Sequence, residues 1–490
     1  MSTQENGIYD ARKLGAPKMT ILGVQHMFAM FGATVLVPAI TGLSVSATLL
    51  FAGLGTILFH LITKRKVPAF LGSSFAFLAG YAAIAPNGEK ELLPYACLGV
   101  ACAGLLYLIL AGLIKAFGSE RVIRFFPPIV TGPIIIAIGL TLAGTAVSSC
   151  SANWPLAIIA IGIVVICNVC GKGMVKIVPI ILGVLGACAI AVICTLAFGE
   201  VIDIGTDEKP QMVYAIAGVS KLVLFDSAKI DAIKEAAWIG LPIKPSETIF
   251  SLIGNADGAL IATSIITIVP IALATIVEHI GDISAISSTV GENYVKDPGL
   301  HRTLTGDGLA TTIASIFGAP ANTTYGENTG VLSLTRVFDP RVIRLAAYFA
   351  ILFSFSPKLA ACISAIPTPV MGGISLVLYG MISAVGVRNV VESHIDFSKV
   401  RNVIIAALIL GLSVGIKYYD PSGCVTLSIG SVDIPLTGLA VGAFIGIILN
   451  AILPFDKEPE LTGLKKDISN EGVTVSKTQQ KKINKSRKKH

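Results

Sequence analysis

The sequence predicts an all-α polytopic membrane protein, on three observations. Of 490 residues, 53% are hydrophobic and only 14% charged, and the mean hydropathy is +0.79, too apolar for soluble domains laid end to end. Apolar runs of about 17–25 residues, the length a helix needs to cross hydrocarbon, recur along the chain. The basic residues between those runs gather in alternate loops, as they do when those loops lie on the cytoplasmic side.

The runs lie near residues 19–40, 45–62, 68–86, 94–114, 127–149, 153–170, 175–199, 258–283, 303–318, 322–336, 341–357, 363–386, 402–417 and 434–453, fourteen in all. Met1 to Lys18 is polar and lacks the short apolar core of a cleaved signal, so the first run is expected to stay in the product. The third and tenth runs are short, rich in small polar residues and begin just after Pro68 and Pro320. They read as discontinuous spans with short extended segments, which are tolerated at membrane depth only inside protein or beside a wet cavity.

An even count with both termini in the cytoplasm places Lys64-Arg65-Lys66, Lys115 with Arg121 and Arg124, Lys172 with Lys176, Lys296 with Arg302, Arg336 with Arg341 and Arg344, and Arg388 with Lys399 and Arg401 inside. Lys90, Lys358 and Lys417 fall in short outer loops, and residues 201–257 form one long, mildly acidic external loop.

Two echoes point to an inverted repeat. Phe126-Pro-Pro128-Ile-Val-Thr-Gly132 resembles Ile366-Pro-Thr-Pro369-Val-Met-Gly-Gly373, and Pro68-Ala-Phe-Leu-Gly-Ser-Ser-Phe75 resembles Pro320-Ala-Asn-Thr-Thr-Tyr-Gly-Glu327. Each pairs a span with the one seven later. Seven is odd, so the halves take opposite orientation, a 7+7 arrangement typical of secondary transporters.

Other classes fit poorly. The nine cysteines are an odd number scattered mostly through apolar runs, against a disulfide framework. Cys167 and Cys170 read as small apolar residues on a helix, because no second pair supports zinc or redox chemistry. The net charge of +7 comes largely from residues 456–490, where Lys481, Lys482, Lys485, Arg487, Lys488 and Lys489 cluster. On a polytopic chain that tail reads as a cytoplasmic segment beside anionic headgroups, with no nucleic-acid partner. No nucleophile or metal constellation suggests an enzyme, and no cofactor is expected.

The chemistry concentrates in Phe317 to Arg336. Glu327 stands out, because a carboxylate at helix-centre depth costs roughly 2.5–3.5 kcal/mol and is expected to face a cavity or partner. Broken spans meeting at the midplane present N–H groups near Phe75 and Gly326 to carbonyl oxygens, while Glu327 accepts from ligand N–H groups. A planar ring with alternating C=O and N–H edges suits this arrangement, with Phe75 or Tyr325 against its face; ordinary packing is the competing role for both aromatics.

The eighth run ends with Glu278-His279-Ile-Gly-Asp282, whose carboxylates, four apart, share one helix face. Glu278 is expected to bind ligand or couple protons, and Asp282 to lie nearer the cytoplasmic mouth or be solvated at a helix end. A metal site from Glu278, His279 and Asp282 is disfavoured, since adjacent residues diverge by roughly 100° on a helix. Asp307, at the start of the ninth run, reads as a hydrogen-bond anchor. Gln25 and His26 would hold the broken helices, with a packing role for His26 equally open.

Glu327-Asn328-Thr-Gly330-Val-Leu-Ser-Leu-Thr335-Arg336 also meets a ten-position signature. From about Gln25 through the last span, the chain resembles the nucleobase-ascorbate transporter family. Glu at the first signature position, with Gly72-Ser-Ser-Phe75 and Gln25-His26, looks like its uracil permease branch; purine members usually have Gln there and ascorbate members Pro. The resemblance implies a core domain of residues 1–125 and 258–362, a gate domain of 126–200 and 363–455, and proton-coupled uracil uptake through the cell membrane. It puts substrate contacts on Phe75, Glu278, Tyr325, Gly326 and Glu327; from the residues themselves, proton coupling is expected of Glu278 and Asp282, and supporting polar roles of Gln25, His26, Asp307 and Asn328. Family members are often homodimers. Some uracil permeases have His where this chain has Asp282, and Asp307 is more associated with purine members, so a proton-coupled xanthine or urate permease is the competing expectation. An anion exchanger or channel would want a basic or neutral site rather than carboxylates.

Overall fold

The computed structural model describes residues 7–454 apart from 87, 119–120, 122–125, 207–209, 220–221, 255, 420–422 and 430–431. The basic tail and the side chain of Glu327 lie outside the described residues.

The first half runs α1 (Ala16–Thr41), α2 (Val45–Ile62), β1 (Leu71–Ser73), α3 (Leu78–Ile84), α4 (Leu93–Phe117), α5 (Pro128–Cys150), α6 (Trp154–Val169), a single turn Met174–Ile177 and α7 (Pro179–Phe198). Local chemistry sets many of these ends. Ser44 accepts from Ala47 N and Asn153 from Leu156 N, opening α2 and α6. Gly42, at φ 80°, closes α1 with its N–H on Pro38 O at 2.9 Å.

A three-stranded antiparallel sheet follows, β2 (Gly199–Asp203), β3 (Met212–Ile216) and β4 (Val223–Asp226), and then α8 (Ser227–Glu235). The second half is α9 (Gly258–Ile268), a tight turn at 269–271, α10 (Ala272–Val290), α11 (Leu300–Ile316), β5 (Asn322–Thr324), α12 (Gly326–Thr335), α13 (Pro340–Ser354), α14 (Pro357–Ser364), α15 (Thr368–Glu392), α16 (Val400–Tyr419), the hairpin β6 (Cys424–Ile429) with β7 (Val432–Thr437), and α17 (Gly438–Ile452). Among the described residues, eight helices are long and apolar enough to cross a membrane, with α9 and α10 together counting as one of 33 residues. The pair α13–α14 is bent by 89°.

Packing falls into two groups. α1, α2, α4, α11 and α13 pack on one another, and so do α5, α6, α7, α15, α16 and α17. Small residues let backbones touch in both groups, the usual means of helix association where lipid is as apolar as the side chains. A Cβ on Gly308 of α11 would stand 2.8 Å from Gly104 O of α4, and one on Gly139 of α5 would stand 2.2 Å from Tyr379 O of α15.

Several expectations need correction. The eighth run does not end near residue 283: α10 continues to Val290, so Glu278 and Asp282 lie in mid-helix. Its last turns look polar, but Ser284 and Ser287 donate their hydroxyls to Ile280 O and Ile283 O, while Ile283, Ile286 and Val290 are buried. α11 begins at Leu300, which puts Asp307 two turns inside rather than at its start. The twelfth run is interrupted: Ala365, Ile366 and Pro367 separate α14 from α15, because a proline disfavours helix in the residue before it. The hairpin β6–β7 is not among the expected elements, and α17 starts at Gly438 rather than 434.

Candidate functional site

The two broken stretches meet as a short antiparallel ladder. Leu71 faces Thr324, Gly72 faces Thr323 and Ser73 faces Asn322. Ser74 N to Ala321 O at 2.8 Å and Tyr325 N to Phe70 O at 3.0 Å extend it. These pairings satisfy peptide groups of buried residues that lie outside any helix.

Neighbouring helices hold the ladder from its sides. Thr56 of α2 accepts from Leu71 N at 2.9 Å, and Asn322 Nδ2 donates to Phe51 O at 2.9 Å. Thr311 of α11 donates to Asn322 O at 2.7 Å, and Ser73 Oγ to Thr34 O of α1 at 2.8 Å. Gly72 has to be glycine, since a Cβ there would lie 2.5 Å from the Tyr325 ring.

Tyr325 is buried, and its hydroxyl donates to Ser73 O at 2.8 Å, tying the start of α12 back to β1. Gly326 opens α12 and is exposed, and Glu327 is the second residue of that helix. Phe75 lies three residues before α3 begins, in the bend after β1, so the two halves are not equivalent at this point. Its buried ring meets Tyr379 of α15 edge-on, centroids 5.8 Å apart at 77°.

α10 supplies the carboxylates. Glu278 and Asp282 are half-buried, and His279 between them is fully buried. Thr324 Oγ1 donates to Asp282 Oδ2 at 2.9 Å and lies 3.5 Å from His279 Nδ1. His279 Nδ1 in turn stands 2.8 Å from Asp307 Oδ2, with both side chains wholly buried. Asp282 therefore sits at the ladder, and its Oδ1 is 3.6 Å from where a Cβ on Gly326 would stand. The arrangement brings Asp282, Tyr325, Gly326 and the backbone of Glu327 together, with Asp307 behind them through His279.

Gln25, His26 and Asn328 are all buried, on α1 and α12, which pack together. Among the described residues, neither ring nitrogen of His26 and neither amide atom of Asn328 has a hydrogen-bond partner. Sequence reasoning missed His279 and Thr324. In the sequence His279 stands out only as a possible metal ligand, and Thr324 gains its place from the strand register.

Residues 17–421 match the Permease family. The uracil permease of Bacillus caldolyticus is 39% identical over 445 residues, covering 88% of this chain and 91% of that protein. The uracil permease of Escherichia coli K12 is 36% identical over 444 residues, covering 88% and 90%. Among solved structures, the transmembrane domain of the cyanobacterial bicarbonate transporter BicA aligns with a TM-score of 0.57 at 14% identity, over 91% of this chain and 99% of that one. SLC26A9 aligns at 0.55 with 12% identity, over 91% and 66%. At such identities the likeness concerns the fold alone. The family match and relatives of this similarity over most of the chain make it a member of the nucleobase-ascorbate transporter family of permeases, a multi-pass membrane transporter rather than an enzyme.

Proposed function

We propose that the chain imports uracil by proton symport across the cell membrane, with both termini cytoplasmic. Fourteen spans form a 7+7 inverted repeat with the third and tenth discontinuous. A core domain of residues 1–125 and 258–362 and a gate domain of 126–200 and 363–455 move against each other, so that the site opens to each side in turn. The observation that carries this reading is the β1–β5 ladder, which sets the start of α12 beside Asp282 of α10.

In the bound state, N–H groups at the start of α12 donate to a uracil carbonyl, and Glu278 and Glu327 accept from ring N–H groups. Phe75 packs on the ring while touching Tyr379 across the core–gate boundary, so occupancy of the site can bias the motion. The succession Asp282, Thr324, His279 and Asp307 supplies groups that hold and pass a proton between the site and the α10–α11 contact. The proton gradient is the driving force, with no cofactor.

The relatives named uracil permease favour uracil over a purine, whose different edge would leave buried donors or acceptors unpaired. Uptake of labelled uracil and xanthine into vesicles, with and without an imposed proton gradient, tests the proposal. Gradient-dependent uracil uptake that excess xanthine leaves intact is expected. Xanthine uptake that uracil does not compete with overturns the substrate, and uracil uptake indifferent to the gradient overturns the coupling.

A further inference from the structure

The stretch between α8 and α9 carries a cluster of bare apolar side chains that the transport reading does not use. Trp238, Ile239 and Leu241 are 76%, 84% and 83% exposed, and Phe250 and Ile253 are also exposed. In a loop bathed in water these groups would be an unusual cost, because large contiguous apolar patches on soluble surfaces mark interaction sites.

The segment is held firmly rather than trailing free. Gly240 N donates to Phe355 O and Lys358 N to Ala237 O, both at 2.9 Å, which fastens it to the α13–α14 bend. Ile243 packs into the cluster of Ala47, Leu50, Phe51, Ala314 and Ala319 at the ends of α2 and α11. The backbone and Ile243 therefore dock on the bundle, while Trp238, Ile239 and Leu241 are turned outward.

What they turn toward follows from α13. Tyr348, Leu352 and Phe355 are exposed at spacings of four and three, a stripe facing lipid in a membrane transporter. That stripe ends at Phe355, the residue to which Gly240 is bonded, so the loop's apolar side chains are fastened at the end of the lipid-facing stripe. Lys358 stands at the same level, its Nζ 5.5 Å from the centre of the Trp238 ring and donating to Ile233 O and Lys234 O at the end of α8. A tryptophan beside a lysine that reaches for polar groups is the chemistry of the membrane–water interface.

We propose that residues 238–253 are an interfacial anchor. Trp238, Ile239 and Leu241 insert at the headgroup–acyl boundary of the leaflet opposite the chain's N-terminal segment, which pairs with Arg336 and Phe338 at the other end of α13. The partner is the bilayer itself, and the anchor sets the depth of the bend between α13 and α14.

The chain has two tryptophans, Trp154 and Trp238, so W154F leaves Trp238 as the sole reporter, and W154Y serves if that variant does not reach the membrane. The full chain is reconstituted in phosphatidylcholine vesicles brominated either high or low on the acyl chain, and iodide is added from water. High bromines are expected to cut Trp238 emission by roughly two-fold or more, low bromines less, and iodide little. Adding I239S and L241S should reverse that order in favour of iodide. Strong iodide quenching with no effect of brominated lipid overturns the proposal by placing the loop in water. Protection from both quenchers, lost on dilution in detergent, overturns it in favour of a second copy of the chain covering the patch.

Discussion

Replacing Thr324 by Val removes one hydroxyl and little else. The side chain is buried, the volume is nearly conserved, and valine suits a strand whose ladder bonds are made by backbone. What disappears is the 2.9 Å bond to Asp282 Oδ2 and the 3.5 Å approach to His279 Nδ1. A hydrogen bond to a charged group contributes about 1.5–3 kcal/mol, which corresponds to about ten- to a hundred-and-fifty-fold in the equilibrium it supports. Gradient-driven uracil uptake by T324V should therefore fall by about ten- to a hundred-fold at matched expression, while T324S, which keeps the hydroxyl, retains most of it. Uracil binding measured without a gradient should change much less than uptake, because the hydroxyl acts on Asp282. Wild-type uptake by T324V across a range of external pH would refute the role given to the Asp282–Thr324–His279 succession.

Three further outcomes are expected. E327Q should abolish uracil binding and E278Q should impair coupled uptake; uracil affinity retained in E327Q, measured by isothermal titration, removes that carboxylate from the site. G72A forces a Cβ within 2.5 Å of the Tyr325 ring, and displacing the ring costs about 1–3 kcal/mol and the bond to Ser73 O; a lower unfolding temperature and weaker uracil binding should appear together. At the N-terminal segment, the side-chain bond from Arg12, with Arg341 nearby, holds the Asp10 carboxyl below the usual carboxylate range. Its stabilising contribution is thus present above the ordinary carboxylate value and is lost only as pH falls through the lowered one. Hydrogen exchange at the Ile8 amide, bonded to Arg336 O, should accordingly stay protected down to about pH 4 and lose that protection in D10N.

Apolar run length by itself determined the class of the protein and several helices nearly to the residue. α2 spans Val45–Ile62 as the run does, because Ser44 caps one end and basic residues follow the other. The same local signals, prolines and small polar residues that interrupt hydropathy, stand at Pro68 and Pro320 just before β1 and β5. They also single out Tyr325, Gly326 and Glu327 as candidate site residues, because an anomalous carboxylate is visible without a structure. The length of α10 was misjudged for a related reason: serines look like a loop until their hydroxyls are seen to bond back to the helix's own carbonyls.

Only the tertiary structure decided which residues face one another. The register that sets Gly72 against Thr323 makes Gly72 indispensable and brings Thr324 to Asp282. The contact of His279 with Asp307 joins residues on different helices, and no periodicity within either one encodes it. Sequence pattern reports the environment each residue needs, apolar or polar, helical or bent. The partner that supplies a buried polar group is chosen by how the helices pack, and that choice brings Asp282 and Asp307, distant in pattern, into one succession through Thr324 and His279.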